Sequence, residues 1–431
     1  MRTLKPFLRL LAAAPLAAGA LPAVADDISV SGFGTLGYAV SNRPYIYQRF
    51  IDDRGTFNRD SVFAVQVDAR IAPRFTATAQ LKLAPDTADD SRWLPKLAWG
   101  FVSWRPTDDW LLRVGKLRVP FYLNAENMDV GVSFDYARLP VEMYSLSPTS
   151  DFTGLALARS WDAGEGELSL EGYWGKARTY WRQYVRDGVP GFVEQGVAYG
   201  ALDVVASGLV LTYRGQNANA YRFGVHRAKV RLASGDNWID QPGLVSPPIA
   251  PWATFYWMLP GAGLGESRIE DFLVTTLGAD VEIVRGLRGA AEYAIRKEGD
   301  VERGQSSRGG YVSLRKEIGR WTPYVYYAEL RSEGRLQRLY RTIDSYRVPS
   351  TVPLAGAINA SQRVIADELA VYDQFSWSVG TSYSLSPTSK LKAEWMRTRV
   401  GTTSSFVDAP AGSSVRNQNI DVLSFSYSFM F

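Results

Sequence analysis

The last thirteen residues of the chain constrain its fold more than any other stretch. Residues 419–431 read N-I-D-V-L-S-F-S-Y-S-F-M-F. Successive strand side chains point to opposite faces, so Leu423, Phe425, Tyr427, Phe429 and Phe431 share one face and Ser424, Ser426 and Ser428 the other. A soluble strand turns such an apolar face inward, whereas a membrane barrel turns it outward to lipid. The competing reading is an edge strand of a soluble sandwich, and the N-terminus weighs against it.

Arg2, Lys5 and Arg9 form a basic region, Leu10 to Leu21 a short apolar run, and Ala23-Val24-Ala25 a small-x-small cleavage site. Residues 1–25 are therefore expected to be a cleaved signal peptide, with the mature chain, 26–431, forming a single domain. The apolar run is too short to span a bilayer, and no other segment approaches that length, so a membrane fold here must use strands. Losing three of the 48 basic residues with the signal leaves 45 against 44 acidic ones. That near balance gives nucleic acid no footing as a partner. Without cysteine there are no disulfides or thiolate metal sites, and one histidine, His226, cannot build a multi-histidine metal centre.

The clearest hairpin lies near the start of the mature chain. Phe63, Val65, Val67, Ala69 and Ile71 alternate with Ala64, Gln66, Asp68 and Arg70; after Ala72-Pro73-Arg74 the alternation resumes through Phe75, Ala77, Ala79, Leu81 and Leu83. Apolar residues on one face and Gln, Asp, Arg, Thr and Lys on the other predict lipid outside and a wet lumen inside. Further tight turns fall near 105–109, 162–166, 215–218, 284–286, 316–320 and 385–389, with longer connections near 42–60, 85–95, 119–150, 177–198, 231–269, 298–306, 331–373 and 400–418. Seven turns and eight long connections predict an all-β, antiparallel up-and-down transmembrane barrel of about sixteen strands. Trp104, Trp110, Trp161, Tyr213, Tyr221, Trp321, Tyr383 and Phe431 lie beside the tight turns, as an interfacial aromatic girdle would.

The third long connection, 119–150, is apolar throughout and is ill suited to solvent. It is expected to fold inward, with Asp129, Asp135, Arg138 and Glu142 lining a constriction; packing on a neighbouring subunit or across the mouth is the alternative. The stretch G-K-L-R-V-P at 115–120, together with W-T-P-Y-V-Y-Y at 321–327, K-A-E-W at 392–395 and the terminal Phe431, resembles the Gram-negative outer-membrane porin superfamily. The likeness is to the general trimeric porins, and more distantly to the phosphate-selective branch, whose dense basic ladder is not matched here. The resemblance implies a homotrimeric barrel passing small hydrophilic solutes and ions across outer-membrane lipid. It also makes Phe431 the signal read by the barrel-assembly machinery.

Pore-wall candidates of both signs follow from the alternation. Arg70, Lys82, Arg113, Arg222, Arg288, Arg296, Arg315 and Lys392 are the basic ones; Asp68, Glu167, Glu171, Asp280, Glu282, Glu292, Glu329 and Glu394 the acidic ones. Opposed charges in a narrow channel create a transverse field that favours dipolar solutes, although wall-stabilising ion pairs explain the same pattern. The face shared by Tyr221, Phe223 and Val225 puts His226 inside, where a hydrogen-bonded wall residue is expected rather than the base of a Ser–His hydrolase. No catalytic residue, metal or cofactor is implied. A solute-specific porin for an anion, carboxylate or sugar is the alternative function, and a barrel-based enzyme or adhesin the alternative from another class.

Overall fold

The computed structural model describes residues 27–246, 251–258, 263–299, 301 and 303–431; the expected signal peptide lies outside them. Sixteen strands form one closed barrel: β1 Ile28–Ser41, β2 Val62–Ala72, β3 Phe75–Pro85, β4 Trp93–Trp104, β5 Trp110–Arg118, β6 Asp151–Ala163, β7 Gly166–Val185, β8 Gly196–Arg214, β9 Ala220–Leu232, β10 Glu270–Val284, β11 Leu287–Glu298, β12 Ser307–Lys316, β13 Trp321–Ser332, β14 Tyr372–Ser386, β15 Ser389–Ser404 and β16 Asn419–Met430. Each pairs antiparallel with the next, and β1 closes on β16 from Phe33↔Met430 to Ser41↔Val422. Closure satisfies every strand edge internally, which a bilayer demands of any spanning sheet.

The terminal alternation does what its pattern requires. Leu423 is 46% and Phe425 53% exposed on the outer face, while Ser424 and Ser428 are buried inside. In the first hairpin Val65 and Leu81 face outward. On the inner face Thr78 donates to Asp68 at 2.5 Å and Gln80 to Gln66 at 2.8 Å. At the turn end of the wall, Phe75 stacks on Trp104 and Trp321 lies 4.7 Å from Tyr383, ring to ring.

Seven tight turns and eight long connections join the strands, as expected. We name the connections L1 (42–61), L2 (86–92), L3 (119–150), L4 (186–195), L5 (233–269), L6 (299–306), L7 (333–371) and L8 (405–418). Two of them depart from expectation. The predicted connection 177–198 is mostly strand, for β7 and β8 stay paired from Ala177↔Val204 to Val185↔Gly196. Lys176 and Arg178 continue the outer face of Leu170 and Trp174, so the apolar stripe that would reveal the strand stops there. L7 carries a helical hairpin, α2 Gly334–Ser345 and α3 Ala355–Glu368, that strand periodicity could not report. Leu336, Tyr340 and Ile343 bury one stripe of α2 at helical spacing against Ile365, Ala366 and Leu369. A four-residue helix, α1 Val141–Tyr144, lies in L3.

The inward loop and a candidate pore-lining site

L3 leaves β5 at Arg118 and folds inside the barrel, because its apolar residues find an apolar wall there. Phe121, Tyr122, Tyr136, Leu139, Met143 and Leu146 pack in one cluster with inward-facing Val204, Ala206, Ala228, Val230, Phe272, Val274, Tyr324 and Leu330. The inner wall from β8 to β13 thus carries an apolar patch among its polar residues, unlike the polar face of β2 and β3. A strand covered by protein inside and lipid outside must be apolar on both faces, and Val204, Ala206, Phe272 and Val274 carry that signal in the sequence.

Polar groups fasten the loop at many points. Leu123 N–H and the Tyr144 hydroxyl donate to Glu292 at 2.7 and 2.6 Å, and the Tyr311 hydroxyl joins them at 3.0 Å. Arg222 donates to the carbonyl of Tyr122, and the Tyr324 hydroxyl accepts from Ala137 N–H at 2.9 Å. His226 stacks on Phe121 at 4.6 Å, with Tyr173 2.8 Å from Nδ1 and Thr276 3.3 Å from Nε2. Its imidazole is buried between wall and loop, inside as the alternation expects.

Each of the four loop candidates meets the wall or another loop. Asp129 takes Lys82 at 2.8 Å and Arg118 at 2.6 Å; burial would raise its pKa, but those two cations outweigh burial and hold it below the usual carboxylate range. Asp135 accepts from Lys390 and Ser382, both at 2.8 Å, with Arg315 at 3.7 Å. There too Lys390 outweighs burial, and the carboxyl is pulled down. Arg138 reaches across to Asp60 of L1, and Glu142 is fully buried against Gln374 (2.7 Å) and Ser376. Burial pushes the Glu142 carboxyl up, and its Oε2 has no partner among the described residues.

The wall candidates separate by height and face. Lys82 and Glu292 meet L3 directly. Arg113 pairs with Glu171 at 2.9 Å and with Glu126 of L3 at 3.5 Å. Asp280 is shared by Arg288 (3.0 Å) and Arg315 (2.6 Å). Glu282 accepts from Gly286 N–H at 2.9 Å and so caps its own turn, while Arg70 stands exposed at the turn end of β2. Glu329 is corrected: buried Tyr324, Tyr326, Ala328 and Leu330 occupy the inner face of β13, so Glu329 points outward, where Tyr327 donates to it at 3.0 Å. Sequence reasoning missed Arg59, Asp60, Arg118 and Lys390. The last was legible as the start of a Lys390, Lys392, Glu394 alternation. Arg59 and Asp60 fall at the end of the connection expected at 42–60, where no strand alternation assigns a face.

The mouth opposite the tight turns is crossed by the L7 hairpin, which reaches L4 six strands away. Arg186 of L4 pairs with Asp344 (2.7 Å) and Asp367 (2.5 Å), and Arg363 of α3 with Asp187. Alongside, Arg182 of β7 holds Asp90 of L2 at 2.9 Å and Asp408 of L8 at 2.6 Å.

By sequence, the chain matches no family model and no curated protein. Solved structures share its fold. In-vitro folded OmpT, an outer membrane protein of Vibrio cholerae, superposes with a TM-score of 0.51 at 10% identity over 96% of this chain and all of that one. A trimer form of the same protein superposes at 0.50 and 10% over 94% of this chain and all of that one. The outer membrane channel DcaP of Acinetobacter baumannii gives 0.50 at 10% identity over 94% of this chain and 97% of its own. Closed on itself, apolar on its outer face and carrying an inward third loop, the chain has the closed-barrel fold of these outer-membrane proteins.

Proposed function

We propose that the protein is an outer-membrane porin through which small hydrophilic solutes and ions diffuse passively. The observation that carries this reading is L3 folded within a closed barrel, with charges of both signs around it. Asp129 and Asp135 face Lys82, Arg118, Lys390 and Arg315, an arrangement that sets a field across any water-filled path at that level. No catalytic step, metal or cofactor belongs to the reading.

A homotrimer in outer-membrane lipid, assembled by the barrel-assembly machinery with Phe431 as its signal, completes the proposal. The trimer form of a barrel of the same fold supports it. Purified protein in planar bilayers is expected to give stepwise ion conductance, and chemical cross-linking a threefold ladder. Folded protein that passes no current would refute the channel.

A further inference from the structure

We infer that the space between L3 and the wall of β1–β3, β15 and β16 is a binding subsite for a small organic carboxylate, whose charge meets Arg59 and Lys392 and whose apolar body lies on Met128, Phe134 and Leu139. The inference rests on the channel reading and names the solute class that the channel would favour.

The space has a volume of about 300 Å³, lined by residues of L1, L3 and the wall strands. That is the lower end of the range for small-molecule sites. Its charges do not cancel. Asp60 is engaged on both oxygens by Arg138, at 2.7 and 2.5 Å, and Asp129 is shared by Lys82 and Arg118. Nearby, Asp135 is held by Lys390, while Glu394 accepts only from neutral donors, Tyr324 at 2.7 Å and Tyr326 at 3.4 Å, and its charge partly offsets that of Lys392. Two cations remain. The Arg59 guanidinium has no hydrogen-bond or ion-pair partner among the described residues, and its Nε is buried. Lys392 donates one hydrogen bond, to the Tyr136 carbonyl at 2.8 Å, and its Nζ sits 4.0 Å above the Phe134 ring. An ammonium has three donors, so two are left for a ligand.

Burying an unpaired cation is costly, and a carboxylate relieves that cost through charge-assisted hydrogen bonds. Burial, reinforced by the Arg138 charge, pushes the Arg59 pKa down to about 10, which leaves it cationic at neutral pH. Val62, Ala84 and Pro85 extend the apolar lining. Such a surface adds affinity for a carbon skeleton and none for an inorganic anion.

The test is planar-bilayer recording on the folded protein with benzoate as probe and neutral benzamide as its control. Chloride is expected to permeate at least roughly threefold better than potassium, since unpaired fixed cations set the local ion population. Benzoate should reduce the chloride current and benzamide should not. Arg59→Gln should weaken the benzoate effect by about tenfold, the scale of one charge-assisted hydrogen bond, and Arg59→Lys should largely keep it. Arg59 holds no partner, so both variants should fold, which heat-modifiable gel migration verifies. Equal action of benzoate and benzamide, cation preference in the wild type, or an Arg59→Gln channel indistinguishable from wild type would each overturn the subsite while leaving the channel standing. Absence of any conductance would instead defeat the channel reading, and the subsite with it.

Discussion

Arg138 of the inward loop and Asp60 of L1 form a buried, two-pronged ion pair, Nε to Oδ1 at 2.7 Å and Nη2 to Oδ2 at 2.5 Å. Arg138 also reaches Gln48 and Ser424 at 3.3 Å, so one guanidinium ties L3 to L1 and to β16. Its pKa is raised because Asp60 outweighs burial. Removing one partner of such a pair strands a buried charge at a cost of about 3–5 kcal/mol. Asp60→Asn is therefore expected to lower the thermal unfolding midpoint and make L3 cleavable by protease in the folded barrel. Unchanged midpoint and protection would mean that the pair anchors nothing.

On the proposed reading the outward face of β2 meets lipid. Val65 is 47% exposed there, and Arg in its place should cost about 2–4 kcal/mol if the site lies near the bilayer midplane. With no native cysteine, single-cysteine labelling reads the orientation directly. A water-soluble maleimide should modify a cysteine at Gln66 and spare one at Val65. The reverse pattern would invert the wall.

Asp135 balances Lys390 and Arg315 at one side of the loop. Asp135→Asn leaves Lys390 without its carboxylate, while Arg315 keeps Asp280 at 2.6 Å. Reversal potentials under a salt gradient should then move toward anions, most at low ionic strength, where fixed charges are least screened. An unchanged reversal potential would show that the three residues lie off the conduction path.

The L7 hairpin carries two displaced carboxyls. Burial pushes Glu368 up to about 7 against the opposing Arg303 charge, and Asp367 up to about 6 against Arg186. Both bind protons more tightly in the packed hairpin than in the free chain. Packing is thus favoured as pH falls from about 7 toward the ordinary carboxylate range, and that stability is lost as pH rises through 6–7. Amide exchange over 334–368, corrected for intrinsic rate, should be slower at pH 5.5 than at 7.5. Glu368→Gln should flatten the difference; a hairpin that loosens in acid would contradict the assignment.

Phe431 pairs with Gly32 through two backbone hydrogen bonds, 3.0 and 2.9 Å, and the residue is 67% exposed. A residue so placed contributes little to the lumen. Deleting Phe431 is expected to reduce the amount of folded protein in the membrane without altering the conductance of the channels that remain. Normal membrane levels would remove its role in assembly.

The legible and illegible parts of the chain divide by the solvent that each face meets. Wherever a strand has lipid on one side and polar surroundings on the other, as at Phe63–Arg70 or Leu423–Ser428, the period-two pattern is complete, and strand, face and turn could all be read from it. The parity of turns and long connections then required an even barrel near sixteen strands. The pattern disappears where the outer face turns polar, as in β7 beyond Ala177, and where both faces meet apolar matter, as at Val204–Ala206. In L7 the period itself changes, and Leu336, Tyr340 and Ile343 report a helix only to a search at helical spacing.

For the site, residue types alone showed that L3 was too apolar for solvent and carried four charged residues. Their partners were beyond reach, because pairing across the lumen joins residues far apart in sequence: Asp60 with Arg138, Asp135 with Lys390, Arg186 with Asp367. Local alternation determined the barrel, since each strand's two faces answer to two solvents independently of what lies opposite. Only tertiary structure decided which charges neutralise each other and left Arg59 without an ion-pair partner among the described residues, because closing the barrel sets the distances on which ion pairing depends.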